Sequence, residues 1–509
     1  MASTSLRPRR LALQISLAVG IAACGPAFAA DVVPSVRATA QRTGKVDVLI
    51  SMSAQAPKQL LRSDGNYIER RTALVDLLRA TADVSQVDVR QWLDAQGVAY
   101  RIYWINNTIQ AELTLDQIDA LATRTDVARV VGNNPIRQKL IADEQPSTAI
   151  SPDAIQAITY GVTKVRAPDV WALGFTGQGV VIAGQDTGIR WTHAAIKVKY
   201  RGWNSATSTA DHNYNWHDAI HAPQTGGSCG PDQFVPCDDN SHGTHTIGTM
   251  VGDNGTTEQI GVAPGAKWIG CRNMNVGDGR PASYNECAQW LLAPTDLTGQ
   301  NSRPDLAPDV ISNSWGCPAS EECTAGTEVK AAIDALVDGG ILFVAAAGNG
   351  SSGCSGIIDQ PSILDSAFVV GATDSSDRLA SYSLRGPVPG VARIRPDLSA
   401  PGSAVRSATN GSDTSYSSFN GTSMATPHVA GVAALIMSVN PSLKGDPHRV
   451  EAILRSTVTT AGVANTGGTT QTCGGIPSTA WPNYSLGFGR INAYEAFLVA
   501  EKIMANGFD

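Results

Sequence analysis

The strongest constraint on this chain is a succession of short, almost unbroken apolar runs in its C-terminal part. They read VVIAGQD, KWIGCRNM, DVISNSWG, ILFVAAAGN and FVVGATD, separated by amphipathic stretches such as TEVKAAIDALVDGG. A strand that is apolar on both faces must be covered on both faces, and crossover helices between parallel strands supply such covers. Residues 159–509 are therefore expected to form an α/β fold, a doubly wound and mostly parallel sheet. In such sheets ligands bind beyond the carboxyl ends of the strands. Asp186 and Asn349, polar residues at strand ends, become the first candidates for function.

The preceding region has a different rhythm. Residues 40–140 read as strand, helix, strand, strand, helix, strand, the order of a small α+β, ferredoxin-like domain. Residues 141–158 are polar, contain Pro146 and Pro152, and read as an exposed linker. Residues 1–29 have the pattern of an export signal. Arg7, Arg9 and Arg10 precede an apolar run over residues 11–23, and Ala27-Phe28-Ala29 forms a small-residue cleavage site. The run is too short to span a bilayer and contains Gln14, so no membrane span is expected. A secreted or periplasmic protein follows. The run Ile21-Ala22-Ala23-Cys24 also resembles a lipoprotein box, which leaves tethering through Cys24 as an alternative.

Cysteine usage agrees with export. Of nine cysteines, eight remain after Cys24, an even set suited to an oxidising compartment. Nearness in sequence suggests Cys229–Cys237, Cys271–Cys287 and Cys317–Cys323, leaving Cys354 for Cys473. No C-x-x-C pair is present, so a zinc cluster is not expected. The net charge of −7 argues against nucleic acid as the main partner.

Four motifs carry chemistry. In VVIAGQDTGI, Asp186 ends an apolar run; it either caps a turn or orients a histidine. In SHGTHTIGTM, a helix is expected to begin near His242, with Ser241 or Asn240 near its cap. His242 and His245 could grip a metal from one helix face, but the H-E-x-x-H pattern is missing. In NGTSMATPHVAG, Ser423 opens a helix of small residues, with Pro427 in or just after the first turn. A helix start exposes the hydroxyl and favours nearby negative charge. In AAAGNG, Asn349 is either a turn residue or a side-chain donor for an oxyanion. Carboxylate, imidazole, hydroxyl and amide together are the complement for acyl transfer through a serine.

QDTGI, SHGTHTIGTM and NGTSMATPHVAG, in that order, resemble the subtilisin-like serine proteases, or subtilases. GVAPGA, ISNSWG, AAAGNG and RPDLSAPG strengthen the likeness, which covers about residues 159–500. IRWTHAAIKVKYRGWN and NYNWHDA look most like the bacillopeptidase F group. The resemblance implies a serine endopeptidase with Asp186, His242 and Ser423 as its triad and Asn349 at the oxyanion. His245 is then a supporting residue. Ser314, Trp315 and Gly316 become an edge strand for the substrate backbone, and Ala345 to Gly348, including Ala346 and Ala347, line the pocket before the cut. Residues 40–140 resemble the family's propeptide, an intramolecular inhibitor and folding aid, which places a self-cleavage site in 141–158. GFGRINAYEAFLVAEK resembles the usual close of the catalytic domain.

Protein or peptide substrates, a monomer, and no cofactor for the chemistry are expected. Structural calcium is compatible with the family, but His193-Ala194-Ala195 replaces the acidic H-P-D pattern of one common site, and no metal ligand is assigned. Two other readings stay open: a catalytically silent peptide-binding relative, and a metal-dependent hydrolase using His242 and His245.

Overall fold

Seven strands form one sheet in the order Trp216–Asp218, Lys267–Arg272, Val181–Asp186, Val310–Asn313, Leu342–Ala346, Phe368–Thr373 and Leu398–Pro401. Every neighbouring pair is parallel. The computed structural model describes residues 29–61, 64–138, 140, 158–223, 225–319, 323 and 329–505. The expected export segment with Cys24, and all of the linker except Ile158, lie outside the described residues.

The apolar runs become central strands because both of their faces are buried. Val310, Leu342, Val344, Phe368 and Val370 join one core with the helices His242–Val251 and Thr422–Val439. Ile311, Phe343, Ala345 and Val369 join another, against the helices Pro281–Leu292 and Lys330–Asp338. Adjacent residues thus point to opposite cores, as the two-residue period of a strand requires. Each such side chain contributes about 1.5–3 kcal/mol by leaving water. The fold is the expected doubly wound α/β architecture.

Helix Thr422–Val439 runs through the first of these cores. It is long and apolar enough to cross a membrane, yet it is 94% buried inside the protein, as a core helix is. Its small residues answer to packing: a Cβ on Gly431 would come within 2.6 Å of Val262. Pro427 lies inside this helix, just after its first turn.

Residues 31–132 form a second sheet, ordered Asp31–Val32, Val127–Gly132, Val46–Met52, Thr108–Leu113, Tyr100–Tyr103. It starts earlier than expected, because a two-residue strand leaves no periodic signal. The helical stretch between its strands breaks at Gln86 into Tyr67–Ser85 and Val87–Ala95. The sheet rests on helix Pro281–Leu292. Asn133 Oδ1 accepts the free N–H of Ala282 in the first turn at 3.0 Å. Gln289 Oε1 accepts Trp104 N at 2.7 Å. Arg71, buried, reaches across from helix Tyr67–Ser85 and donates to the carbonyls of Gly339 and Pro304, at 2.7 and 3.2 Å.

The four cysteine pairs are those suggested by nearness in sequence: Cys229–Cys237, Cys271–Cys287, Cys317–Cys323 and Cys354–Cys473. All lie in the α/β part, and residues 29–158 contain no cysteine.

Candidate active site

Asp186 ends strand Val181–Asp186 and is buried. Its Oδ1 accepts the N–H of Thr187 and Nδ1–H of His242, both at 2.7 Å. A ring that donates from Nδ1 offers a lone pair at Nε2, and Nε2 of His242 has no hydrogen-bond partner among the described residues. His242 opens its helix as expected. The cap differs from expectation. Ser241 stands at the cap position with φ 80°, and its hydroxyl bonds Asn410 instead. Asp238 fills the role: it accepts from Thr187 Oγ1, from the N–H groups of Asn240 and Ser241, and from Thr244 N and Oγ1. Gly243 is needed for the approach of this helix to the loop after Asp186, where a Cβ would sit 2.1 Å from Gly188 O.

Ser423 lies in the first turn of helix Thr422–Val439. Proline at 427 has no N–H to give to the carbonyl four residues back. That carbonyl, on Ser423, accepts instead from Ser314 Oγ at 3.1 Å, while Ser423 Oγ donates to Ser314 O at 3.3 Å. The helices carrying His242 and Ser423 pack against each other. Asn349 is fixed by its oxygen, which accepts Thr422 N at 2.9 Å and Thr422 Oγ1 at 3.1 Å. Its amide nitrogen stays beside the start of that helix, where a Cβ on Gly421 would lie 3.5 Å from it.

One cavity of about 170 Å³ brings most of the expected residues together. Ser314, Trp315, Gly316, Ala346, Ala347, Gly348, Asn349 and Ser423 all line it. Trp315 stacks on Tyr284 with ring centres 4.0 Å apart. The cavity holds a segment of the chain's own N-terminal part. Ile136–Arg137 pairs antiparallel with Asp278–Gly279, and Gln138 N donates to Gly277 O at 3.0 Å. Gly316 N donates to Gln138 Oε1 at 3.1 Å. Leu140 is buried among the lining residues, and Asn349 Nδ2 donates to its carbonyl at 3.4 Å.

Residues 177–475 match the sequence pattern of the subtilase family. The chain belongs to the subtilase family. It is 36% identical to Bacillopeptidase F of Bacillus subtilis (strain 168) over 453 residues, covering 86% of this chain and 29% of that protein. Identity to Subtilisin E of the same organism is 33% over 296 residues, covering 58% of this chain and 64% of that one. Subtilisin DY of Bacillus licheniformis is 35% identical over 309 residues, 60% of this chain and 93% of that one.

In this subtilase the two histidines of HGTH part company. His245 Nε2 lies 2.9 Å from Val405 O and 3.2 Å from Ser417 O, and its ring stacks on Phe419. It is a strut between elements, not the second arm of a pair with His242. Sequence reasoning missed Asp238, the Gly277–Gly279 turn and residues 136–140. The NVGDG run carried the only local signal for these, that of a tight hairpin turn.

Burial holds the His245 imidazole down to about 3 and that of His428 down to about 4, against an ordinary value of 6.5. The unfolded chain therefore takes up these protons first. Stability from the neutral rings is complete above pH 6.5 and is lost as pH falls, by about 1.4 kcal/mol per unit for each ring. Urea unfolding across this pH range checks this. A flat stability from about pH 6.5 to 4.5 would refute it.

Proposed function

We propose that this subtilase is an exported serine endopeptidase made as a self-processing zymogen. The observation that carries the reading is the Leu140 carbonyl beside the Asn349 amide, in the cavity that Ser423 lines. A chain held this way is bound as a substrate is bound, with its carbonyl on a donor suited to an oxyanion. Ser423 Oγ attacks the carbonyl carbon and His242 Nε2 takes its proton. Asp186 holds the tautomer and balances the imidazolium charge. The oxyanion rests on Asn349 Nδ2 and on Ser423 N–H, a first-turn donor outside the helical ladder. The proton then passes to the leaving amine, and water releases the acyl group by the same steps in reverse.

On this reading residues 31–140 are the propeptide and its product end is Leu140, so the self-cut falls at Leu140–Ile141, the upstream edge of the 141–158 linker. The docked sheet, the trans cap by Asn133 and the Arg71 contacts support intramolecular inhibition. Four disulfides support export. No metal takes part in the proposed steps. The protein acts as a monomer on protein or peptide substrates.

Purified wild-type protein should release an N-terminal fragment ending at Leu140, identified by mass spectrometry. Its peptidase activity should stop with a serine-directed phosphonate. A fragment ending well away from Leu140, or activity that resists the reagent, would sink the proposal.

A further inference from the structure

Among the described residues that line the cavity beside Ser423, one side chain is ionisable, that of Asp359. None of the elements described so far uses it. Asp359 is fixed against the wall Ser314–Gly316. Its neighbour Gln360 accepts Cys317 N at 2.6 Å, and a Cβ on Gly316 would lie 3.7 Å from Asp359 Cβ. Cys317 is itself pinned by its disulfide to Cys323. Among the described residues no lysine, arginine or histidine lines the cavity.

The Asp359 carboxylate is half-buried and makes no hydrogen bond or ion pair among the described residues. Burial alone pushes its carboxyl above the ordinary value, with no cation or donor pulling it back. Half-buried acids elsewhere in this protein have partners, as Asp377 has Lys164 and Arg490. A carboxylate left without one in a substrate cleft is a site for a cation that arrives with the substrate.

We infer that Asp359 selects peptides with lysine or arginine immediately before the scissile bond. This rests on the endopeptidase reading. Leu140 occupies that position in the chain's own segment, and its side chain is apolar and ends well short of where a lysine ammonium would reach. The self-cut tolerates this mismatch because the segment is tethered, and a tether supplies effective concentration in place of affinity. A substrate in trans has no such help, so the charge of Asp359 decides among competing peptides. The pair would form in a partly buried cleft, where an ammonium or guanidinium gains more from one carboxylate than it does in open water.

The test uses self-processed protein and four peptides that differ only in the residue before the cut: Lys, Arg, Leu or Glu. Wild type should show its highest kcat/KM on Lys and Arg. In Asp359→Asn the Lys-to-Leu ratio of kcat/KM should fall by about 10- to 100-fold. In Asp359→Lys the Glu-to-Lys ratio should rise by at least as much. A wild type that favours Leu over both basic peptides, or an Asp359→Asn ratio equal to that of wild type, overturns the assignment and leaves the protease reading standing. Failure of wild type to cut any of the four overturns the protease reading, and this inference with it.

Discussion

Ser423→Ala is expected to abolish peptide hydrolysis and to leave the Leu140–Ile141 bond uncut, so that the N-terminal sheet stays joined to the α/β part. The expected fall in kcat is about 10⁶-fold, a magnitude known from a subtilisin, a relative of this chain. Other hydroxyls line the cavity, but each is committed. Ser314 Oγ serves the Ser423 carbonyl, Thr422 Oγ1 serves Asn349, and Ser362 Oγ donates to Ala346 O at 2.5 Å. Ser423 Oγ has the longest of these bonds, 3.3 Å, and gives it up at least cost. Alanine is a good helix former in the place of a first-turn serine, so folding should survive. Thermal unfolding within a few degrees of wild type would show that chemistry alone was lost. A variant that still processes itself, when purified without any wild-type protein, would remove Ser423 from its assigned role.

Asp186→Asn should lower kcat by about 10⁴-fold and leave KM nearly unchanged. The split follows from position. Asp186 does not line the cavity, so it acts on bound peptide through His242 only. Asparagine keeps the size, but the single atom in the Oδ1 position serves both Thr187 N–H and His242 Nδ1. Turned as an oxygen, the neutral amide carries no charge to balance the imidazolium; turned as NH₂, it meets His242 Nδ1 as a donor and drives the ring proton to Nε2, where it blocks uptake of the serine proton. Steady-state kinetics on one peptide gives both constants. A kcat within about tenfold of wild type would mean that Asp186 is only a turn cap.

The sequence made the triad candidates legible because each sits in a local pattern. Asp186 ends an apolar run, His242 begins a helix, and Ser423 precedes a stretch of alanines and glycine that only close packing explains. The sheet was legible for the same reason, since strands buried on both faces leave no polar alternation. What escaped depends on contacts between distant segments. Gln138 and Leu140 read as the last residues of the small N-terminal domain until the Asp278–Gly279 strand is brought beside Ile136–Arg137. Asp238 carries no reading of its own in the sequence, because its main partners, Thr187 and Thr244, lie on separate elements. Pro427 reads as a proline in or just after the first turn, and only the Ser314 contact shows what its missing donor releases. Asp359 has no local signal, because its isolation among uncharged neighbours is a property of the folded cleft.

The placing of the cysteines sets the two halves of the chain on different footings. The α/β part is cross-linked four times, which restrains its unfolded ensemble and slows its loss. The N-terminal sheet has no cross-link, within itself or to its neighbour. On the proposed zymogen reading, once the Leu140–Ile141 bond opens the sheet is held by non-covalent contacts alone, the pairing of Ile136–Arg137 with Asp278–Gly279 among them, and each excursion off the surface would expose an unstapled fold to the enzyme it restrains. Destruction of that fragment cannot be reversed by rebinding. Activation on the proposed reading would then work as a ratchet: a reversible inhibitor would become a consumable one, and the delay before activity would be set by how long the fragment itself resists digestion.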